Sequence, residues 1–167
     1  TWDFLAALKR LGGDDWFKLG DQDLATHVMR SYWLSQGQTL SQVTEGICSA
    51  LGVVHPIGPM TDDSVRTFLD TDMGKLDFQS YFVREQCKPK VSGISYVGAD
   101  EAKPSAFLSG VMAQKSLSAI IICPSNPVLS VAPILALPGI RSWIENTSVP
   151  VVAVSPIIGG AAVKGPA

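Results

Sequence analysis

Charge is scarce in this chain, and so are histidine and cysteine. Only 17% of the 167 residues are charged, 13 basic against 15 acidic, for a formal net charge of −2. No basic block stands out, which disfavours nucleic-acid binding driven by phosphate neutralisation. The three cysteines, Cys48, Cys87 and Cys123, are scattered and lack CxxC spacing. That pattern argues against a disulfide framework and a zinc site, and suits free thiols in a reducing compartment. No apolar run reaches membrane-spanning length, and the first residues lack basic-then-apolar signal character. A cytoplasmic protein with no membrane partner is expected. Two phosphate-binding signatures are missing as well, the Walker pattern and GxGxxG. The second absence disfavours an oxidoreductase on a dinucleotide-binding sheet.

What is present is material for a core. Hydrophobic residues make up 46% of the chain and the mean hydropathy is +0.23. One domain of ordinary size follows, not a disordered chain. Its ends read as interior positions: Thr1-Trp2-Asp3-Phe4 looks like a helix under way, and Lys164-Gly165-Pro166-Ala167 like mid-loop. A piece of a longer protein is the expectation.

Residues 1–52 read as mainly helical. Trp2, Phe4, Leu5, Leu8 and Leu11 recur at helical spacing until Gly12-Gly13 stops them. Asp21 suits the N-cap of a helix running to about Gln36, with Leu24, Val28 and Leu34 facing inward. Asp21 and Asp23 have two readings: capping with favourable first-turn charge, or a carboxylate pair beside His27. His27 lies four residues beyond Asp23 and so on the same helix face. A lone helical histidine is more often a hydrogen-bonded structural residue than a ligand or base. Thr39 and Gln42 form a capping box, opening a helix that buries Leu40, Val43, Ile47, Ala50 and Leu51 before Gly52.

Residues 53–167 read as α/β. A short strand is expected over 53–57. Asp62-Asp63 is either a metal pair or, more commonly for such a dipeptide, a turn with Asx-type hydrogen bonds. Strands over 65–70 and 75–81 flank Thr71-Asp72-Met73-Gly74, so a β-hairpin spans about 65–81. Another strand is expected over 91–97. Pro104 suits the first turn of a helix over 106–115, with Phe107, Leu108, Val111 and Met112 inward.

The chain is organised around residues 119–139. Residues 119–123, Ala-Ile-Ile-Ile-Cys, read as a strand buried on both faces. Pro124-Ser125-Asn126-Pro127 follows as a stiff polar loop. Pro138-Gly139 then leads a helix through Ile140, Trp143 and Ile144, and residues 150–154 repeat the buried-strand pattern. Strand, helix, strand makes a βαβ crossover, so the two strands should be parallel and both following loops, 123–130 and 155–166, should leave one sheet edge. Ser125, Asn126 and Ser130 supply neutral donors there, the Gly159-Gly160 backbone permits close approach, and Lys164 adds one positive charge. Such a set suits a phosphate or nucleotide better than a bare cation, which wants clustered carboxylates. Two Pro/Gly turns without a ligand remain the structural alternative.

Three motifs in this order resemble one family. They are residues 20–27, Gly-Asp-Gln-Asp-Leu-Ala-Thr-His; Cys123-Pro124-Ser125-Asn126-Pro127 with Ser130, Pro133 and Leu137-Pro138-Gly139; and Ser155-Pro156-Ile157-Ile158-Gly159-Gly160 with Lys164-Gly165-Pro166-Ala167. Over essentially its whole length the chain is similar to the 2-phospho-L-lactate transferase family, which acts in biosynthesis of the deazaflavin coenzyme F(420). The resemblance implies a Rossmann-like α/β sheet with parallel core strands and a smaller helical and hairpin insertion. It implies transfer of a phospholactyl, phosphoenolpyruvyl or phosphoglyceryl group from a guanosine-diphosphate-linked donor to the terminal hydroxyl of the deazaflavin FO, releasing GMP. Mg²⁺ is required, FO is a substrate and not a bound redox cofactor, and members are homodimers. By position, Ser125, Asn126, Pro127, Ser130, Ser155, Pro156, Gly159, Gly160 and Lys164 would hold the donor or FO. Asp21, Asp23 and His27 would line the cleft from the helical side.

Two family segments have no counterpart here: an opening strand with a Gly-Gly-Thr-Gly-type turn, and an Asn-x-Gly-Asp-Asp-type stretch bearing the metal carboxylates. The Mg²⁺ ligands are therefore expected outside this chain, and activity is expected of a longer protein and not of these 167 residues alone. A related branch senses sugar nucleotides in cell-envelope control, which makes a non-catalytic nucleotide-binding regulator the alternative. That branch has a Gly-Ser pattern in the loop where this chain has Cys123-Pro124-Ser125-Asn126-Pro127, which favours the transferase.

Overall fold

The structure, a computed structural model, describes residues 2–162. Helix α1, Trp2–Arg10, ends as its glycines require: Gly12 sits at φ +83° and the Gly13 amide donates back to Leu8 O at 2.9 Å. Only glycine takes that left-handed position at no steric cost. Helix α2, Asp21–Ser35, is capped by the extended Gly20 and not by Asp21, which is already inside the helix. Asp21 and Asp23 thus both sit in the first turn, where negative charge opposes the helix dipole favourably. Helix α3, Leu40–Ala50, carries the capping box as read: the Thr39 hydroxyl accepts from Gln42 N, and Gln42 Oε1 accepts from Thr39 N at 2.9 Å. Burial is shallower than the periodicity suggests. Val43 is fully buried, but Val28 is 56% exposed and Leu51 70%, because α2 and α3 pack chiefly on each other.

Residues 53–57 form no strand. The run is apolar, but Pro56 cannot donate to a ladder and no strand among the described residues pairs with it. The antiparallel hairpin is present: β1, Arg66–Thr71, pairs with β2, Gly74–Asp77, with Thr71 opposite Gly74. The third strand, β3, Val91–Val97, pairs with the other edge of β1, giving the order β2-β1-β3 with a register shift at Asp70 and Thr71. After β2 the chain enters a π-helical turn, Ser80–Arg84, opened by the Asp77 carboxylate accepting from Ser80 N at 3.0 Å and Ser80 Oγ at 2.7 Å.

Helix α4, Ala106–Met112, is shorter than expected and is capped by Ser105, whose Oγ accepts from Leu108 N and donates to Pro59 O at 2.7 Å. Residues 61–63 tie this region to α3. Asp62 accepts from Ser41 N at 2.7 Å and Ser41 Oγ at 2.9 Å, Asp63 accepts from Lys103 N at 2.8 Å, and Thr61 Oγ1 donates to Lys103 O at 2.6 Å. The two carboxylates are structural anchors working across the chain, not a local turn. The core centres on Ala102, Leu137 and Ile140, with Met60, Val65 and Leu108 against it.

The parallel crossover is as expected. Strand β4, Ile120–Ile122, pairs in parallel with β5, Val151–Ala153, placing Ile122 opposite Ala153. Between them run a π-helical turn, Pro127–Val131, then α5, Ala132–Leu135, and α6, Ile140–Asn146, the last entered through Gly139 at φ +84°. The expected burial of these strands on both faces is not observed. Ile121 is 65% exposed and Val152, its partner in the ladder, is 50% exposed. Their apolar side chains fit a covered sheet, but nothing among the described residues covers this face. Strands β6, Ile157–Ile158, and β7, Ala161–Ala162, form a small antiparallel hairpin. Gly159 and Gly160, both at positive φ, make its two-residue turn. Among the described residues no single helix is long and apolar enough to cross a membrane.

Candidate functional site

The β4–β5 register brings the two sequence-predicted loops to one edge. Val154 N donates to Ile122 O at 3.0 Å, so pairing persists to the point where both chains leave the sheet. Beyond Ile122, Cys123, Pro124 and Ser125 are exposed. Asn126 then plays a part that its residue type did not reveal. Its Oδ1 accepts from Val128 N at 2.9 Å and Leu129 N at 2.8 Å, while its carbonyl accepts from Ser130 N at 3.0 Å and Val131 N at 3.1 Å. Pro127 has no N–H, so every backbone donor from Pro127 to Val131 is absent or already used.

This loop therefore does not cradle a ligand with successive amides. Ser125 and Ser130 are exposed on it, and Asn126 between them is half-buried. Tyr96 on β3 braces it, its hydroxyl donating to Val128 O at 2.6 Å. Burial pushes the Tyr96 phenol pKa up, which keeps that donor protonated. On the facing loop, Ser155 Oγ accepts from Ile157 N at 3.1 Å, making a local turn, and Pro156 is half-buried beside it. Gly159 and Gly160 serve the hairpin turn. Lys164 lies outside the described residues. The edge thus offers neutral hydroxyl and amide groups on a stiff frame, and its described residues hold no general base.

Asp21, Asp23 and His27 stand elsewhere, on α2. The Asp23–His27 pairing suggested by spacing is not made. The guanidinium of Arg30 instead donates to His27 Nδ1 at 2.7 Å. An imidazole nitrogen that accepts has no proton of its own, so the ring hydrogen is on Nε2. Just before α2, an apolar cavity of about 600 Å³ is lined by Trp2, Phe4, Leu8, Phe17 and Leu24, with Gly20 also in its lining. The Arg84 guanidinium lies 5.5 Å from the Trp16 ring centroid, which joins the turn between α1 and α2 to the hairpin region. Neither this cavity nor α2 shares a lining residue with the β4–β5 edge among the described residues. Arg30 went unnoticed in the sequence, although its i,i+3 spacing from His27 was there to be read.

Among the described residues no group of three or more His, Cys, Asp or Glu side chains is placed to hold a metal ion.

These features define an α/β protein in which a parallel strand pair delivers two Pro-containing polar loops to one edge and an antiparallel insertion braces one of them. Solved structures agree on the fold: a Bacillus halodurans protein of the UPF0052 family superposes with a TM-score of 0.58 at 18% identity, over 75% of this chain and 39% of that chain. In sequence, residues 4–167 match the family described as 2-phospho-L-lactate transferase CofD, and the chain belongs to that family. Curated relatives include a phosphoenolpyruvate transferase of Kitasatospora aureofaciens, 42% identical over 99% of this chain and 52% of that protein. A 2-phospho-L-lactate transferase of Methanococcoides burtonii is 40% identical over 96% of this chain and 51% of that protein. A phosphoenolpyruvate transferase of Mycolicibacterium smegmatis is 39% identical over 99% and 52%. The chain spans about half the length of the curated relatives it matches.

Proposed function

We propose that this chain forms part of a transferase of coenzyme F(420) biosynthesis. The enzyme moves a phospholactyl, phosphoenolpyruvyl or phosphoglyceryl group from a guanosine-diphosphate-linked donor to the terminal hydroxyl of the deazaflavin FO. In that step the hydroxyl oxygen bonds to the phosphorus bearing the three-carbon acid, the bridging P–O bond breaks, GMP leaves, and the hydroxyl proton is released. The names of the relatives support the phospho-acid, and the observation that carries the reading is the pairing of Ile122 with Ala153, which sets two family-matched loops side by side.

Reactions of this kind depend on in-line placement and on stabilising charge at the transferred group. The role of the edge is placement: Ser125, Ser130 and the Asn126 amide contact donor or acceptor from a loop that its internal cap keeps in one shape. Pro127, Ser155, Pro156, Gly159 and Gly160 hold the two loop paths that shape the opening. Asp21, Asp23 and His27 would contribute only from the helical side, and Lys164 from beyond the described residues. Mg²⁺, a cytoplasmic setting and a homodimer belong to the same reading.

The test is an assay of the full polypeptide with FO, Mg²⁺ and each of the three guanylylated donors, read by mass spectrometry. FO carrying a new phosphodiester, with GMP released, is expected from at least one donor. No product with any of them overturns the proposal. Tight binding of a sugar nucleotide with none of FO would favour the regulatory alternative instead.

A further inference from the structure

We propose that the cleft between α2 and residues 59–66 is a binding site for a phosphate group, free or esterified, with Arg30 as its main contact and Arg66 as a second. The cleft has a volume of about 540 Å³, and its walls include Arg30, Ser31, Leu40, Thr61, Ser64 and Arg66. None of its lining residues belongs to the β4–β5 edge, and the proposal stands independently of the transfer reaction.

Arg30 carries the argument. Its side chain is permanently charged, and the residue is half-buried. Among the described residues it makes no ion pair, and it donates to the neutral Nδ1 of His27 at 2.7 Å. One neutral hydrogen bond leaves most of its five N–H donors unused, and no carboxylate pairs directly with its charge among the described residues. A phosphate in the cleft supplies acceptors and a counter-charge, and the planar guanidinium matches its oxygens two at a time.

The carboxylates in the same wall do not take this place. Asp62 is held through both oxygens by Ser41, and Asp63 accepts from the Lys103 amide. Their negative charge still lowers the potential of the cleft, so it suits one phosphate head and not a polyphosphate. Arg66, at the start of β1, is exposed and likewise without an ion pair among the described residues. His27 is a positioning residue: by accepting from Arg30 it fixes the plane of the guanidinium.

The experiment is calorimetric titration of the intact protein with inorganic phosphate and, separately, with glycerol 2-phosphate, in chloride buffer. Saturable binding of at least one probe is expected. Arg30→Ala, checked for folding by circular dichroism, should weaken it about 10- to 100-fold, as loss of a charge-assisted pair does. Arg30→Lys, which keeps the charge and loses the fork, should fall between. His27→Asn retains an acceptor in the Nδ1 position and should bind like the parent, while His27→Leu should bind more weakly. Equal affinity for the two probes assigns the phosphate head alone, and a preference identifies the free or the esterified source. Absence of saturable binding by either probe, or a folded Arg30→Ala protein that binds as tightly as the parent, overturns the proposal.

Discussion

Replacing Asn126 by alanine tests whether the edge loop is held by its own side chain. The substitution removes the acceptor at 2.9 Å from Val128 N and 2.8 Å from Leu129 N. Loss of an Asn cap typically costs about 0.5–2 kcal/mol. Val128 is exposed and Leu129 half-buried, so water reaches one amide more readily than the other, and about 1 kcal/mol is the expected loss. For a domain of this size that lowers the thermal midpoint by about 2–4 °C. Asn126→Asp separates the two faces of the residue: it keeps the capping oxygen and removes the Nδ2 donor. It should therefore melt within about 0.5 kcal/mol of the parent while losing whatever the amide gives a ligand. Thermal unfolding followed by circular dichroism, beside the FO assay on the full polypeptide, reads both quantities. If Asn126→Asp destabilises as much as Asn126→Ala, or Asn126→Ala leaves the midpoint unchanged, the capping account is wrong.

Two further outcomes are expected. Gly98 lies at φ +88°, and a Cβ there would come within 2.4 Å of Ser64 O, a backbone atom that cannot swing aside. Gly98→Ala should cost about 2–4 kcal/mol, whereas Gly74→Ala, at φ +101° with open space around it, should cost only about 1–2 kcal/mol; chemical denaturation would expose equal losses as a refutation. Hydrogen bonds from the Ser80 hydroxyl and amide hold the Asp77 carboxyl below its usual pKa. A carboxyl depressed in the folded state stabilises above its unfolded pKa and loses that contribution as pH falls through the folded value. Asn at this position should thus be less stable than the parent near neutrality, with the gap closing in acid. A difference that does not change with pH would rule this out.

Local chemistry was the legible part of the sequence. The Thr39–Gln42 box, the glycine stop at Gly12, the Gly139 entry to α6 and the hairpin through Thr71–Gly74 all act over three or four residues, and all stand in the structure. The parallel pair was readable too, because two apolar runs separated by a helix leave little choice of topology. Exposure was not readable: Ile121 and Val152 have core-type side chains, and composition says nothing of what lies over a sheet face. Residues 53–57 misled for a related reason, since an apolar run becomes a strand only when a partner accepts it. Asp62, Asp63 and Ser105 were obscured by distance along the chain, their partners lying 21, 40 and 46 residues away. At the edge, the sequence places Ser125 and Asn126 just past β4, where the structure has them, but the capping of Val128 N and Leu129 N by Asn126 Oδ1 depends on loop geometry that no residue type dictates.

The crossover has a consequence for the order in which the molecule is built. Thr71 meets Gly74 across a tight turn, so the hairpin closes at small entropic cost, whereas Ile120 and Val151 meet only after everything between them has been drawn in. Strands of three residues give little in return until that closure is complete. The mouth between the two loops is therefore a product of non-local assembly: it exists only once the whole crossover between β4 and β5 has folded.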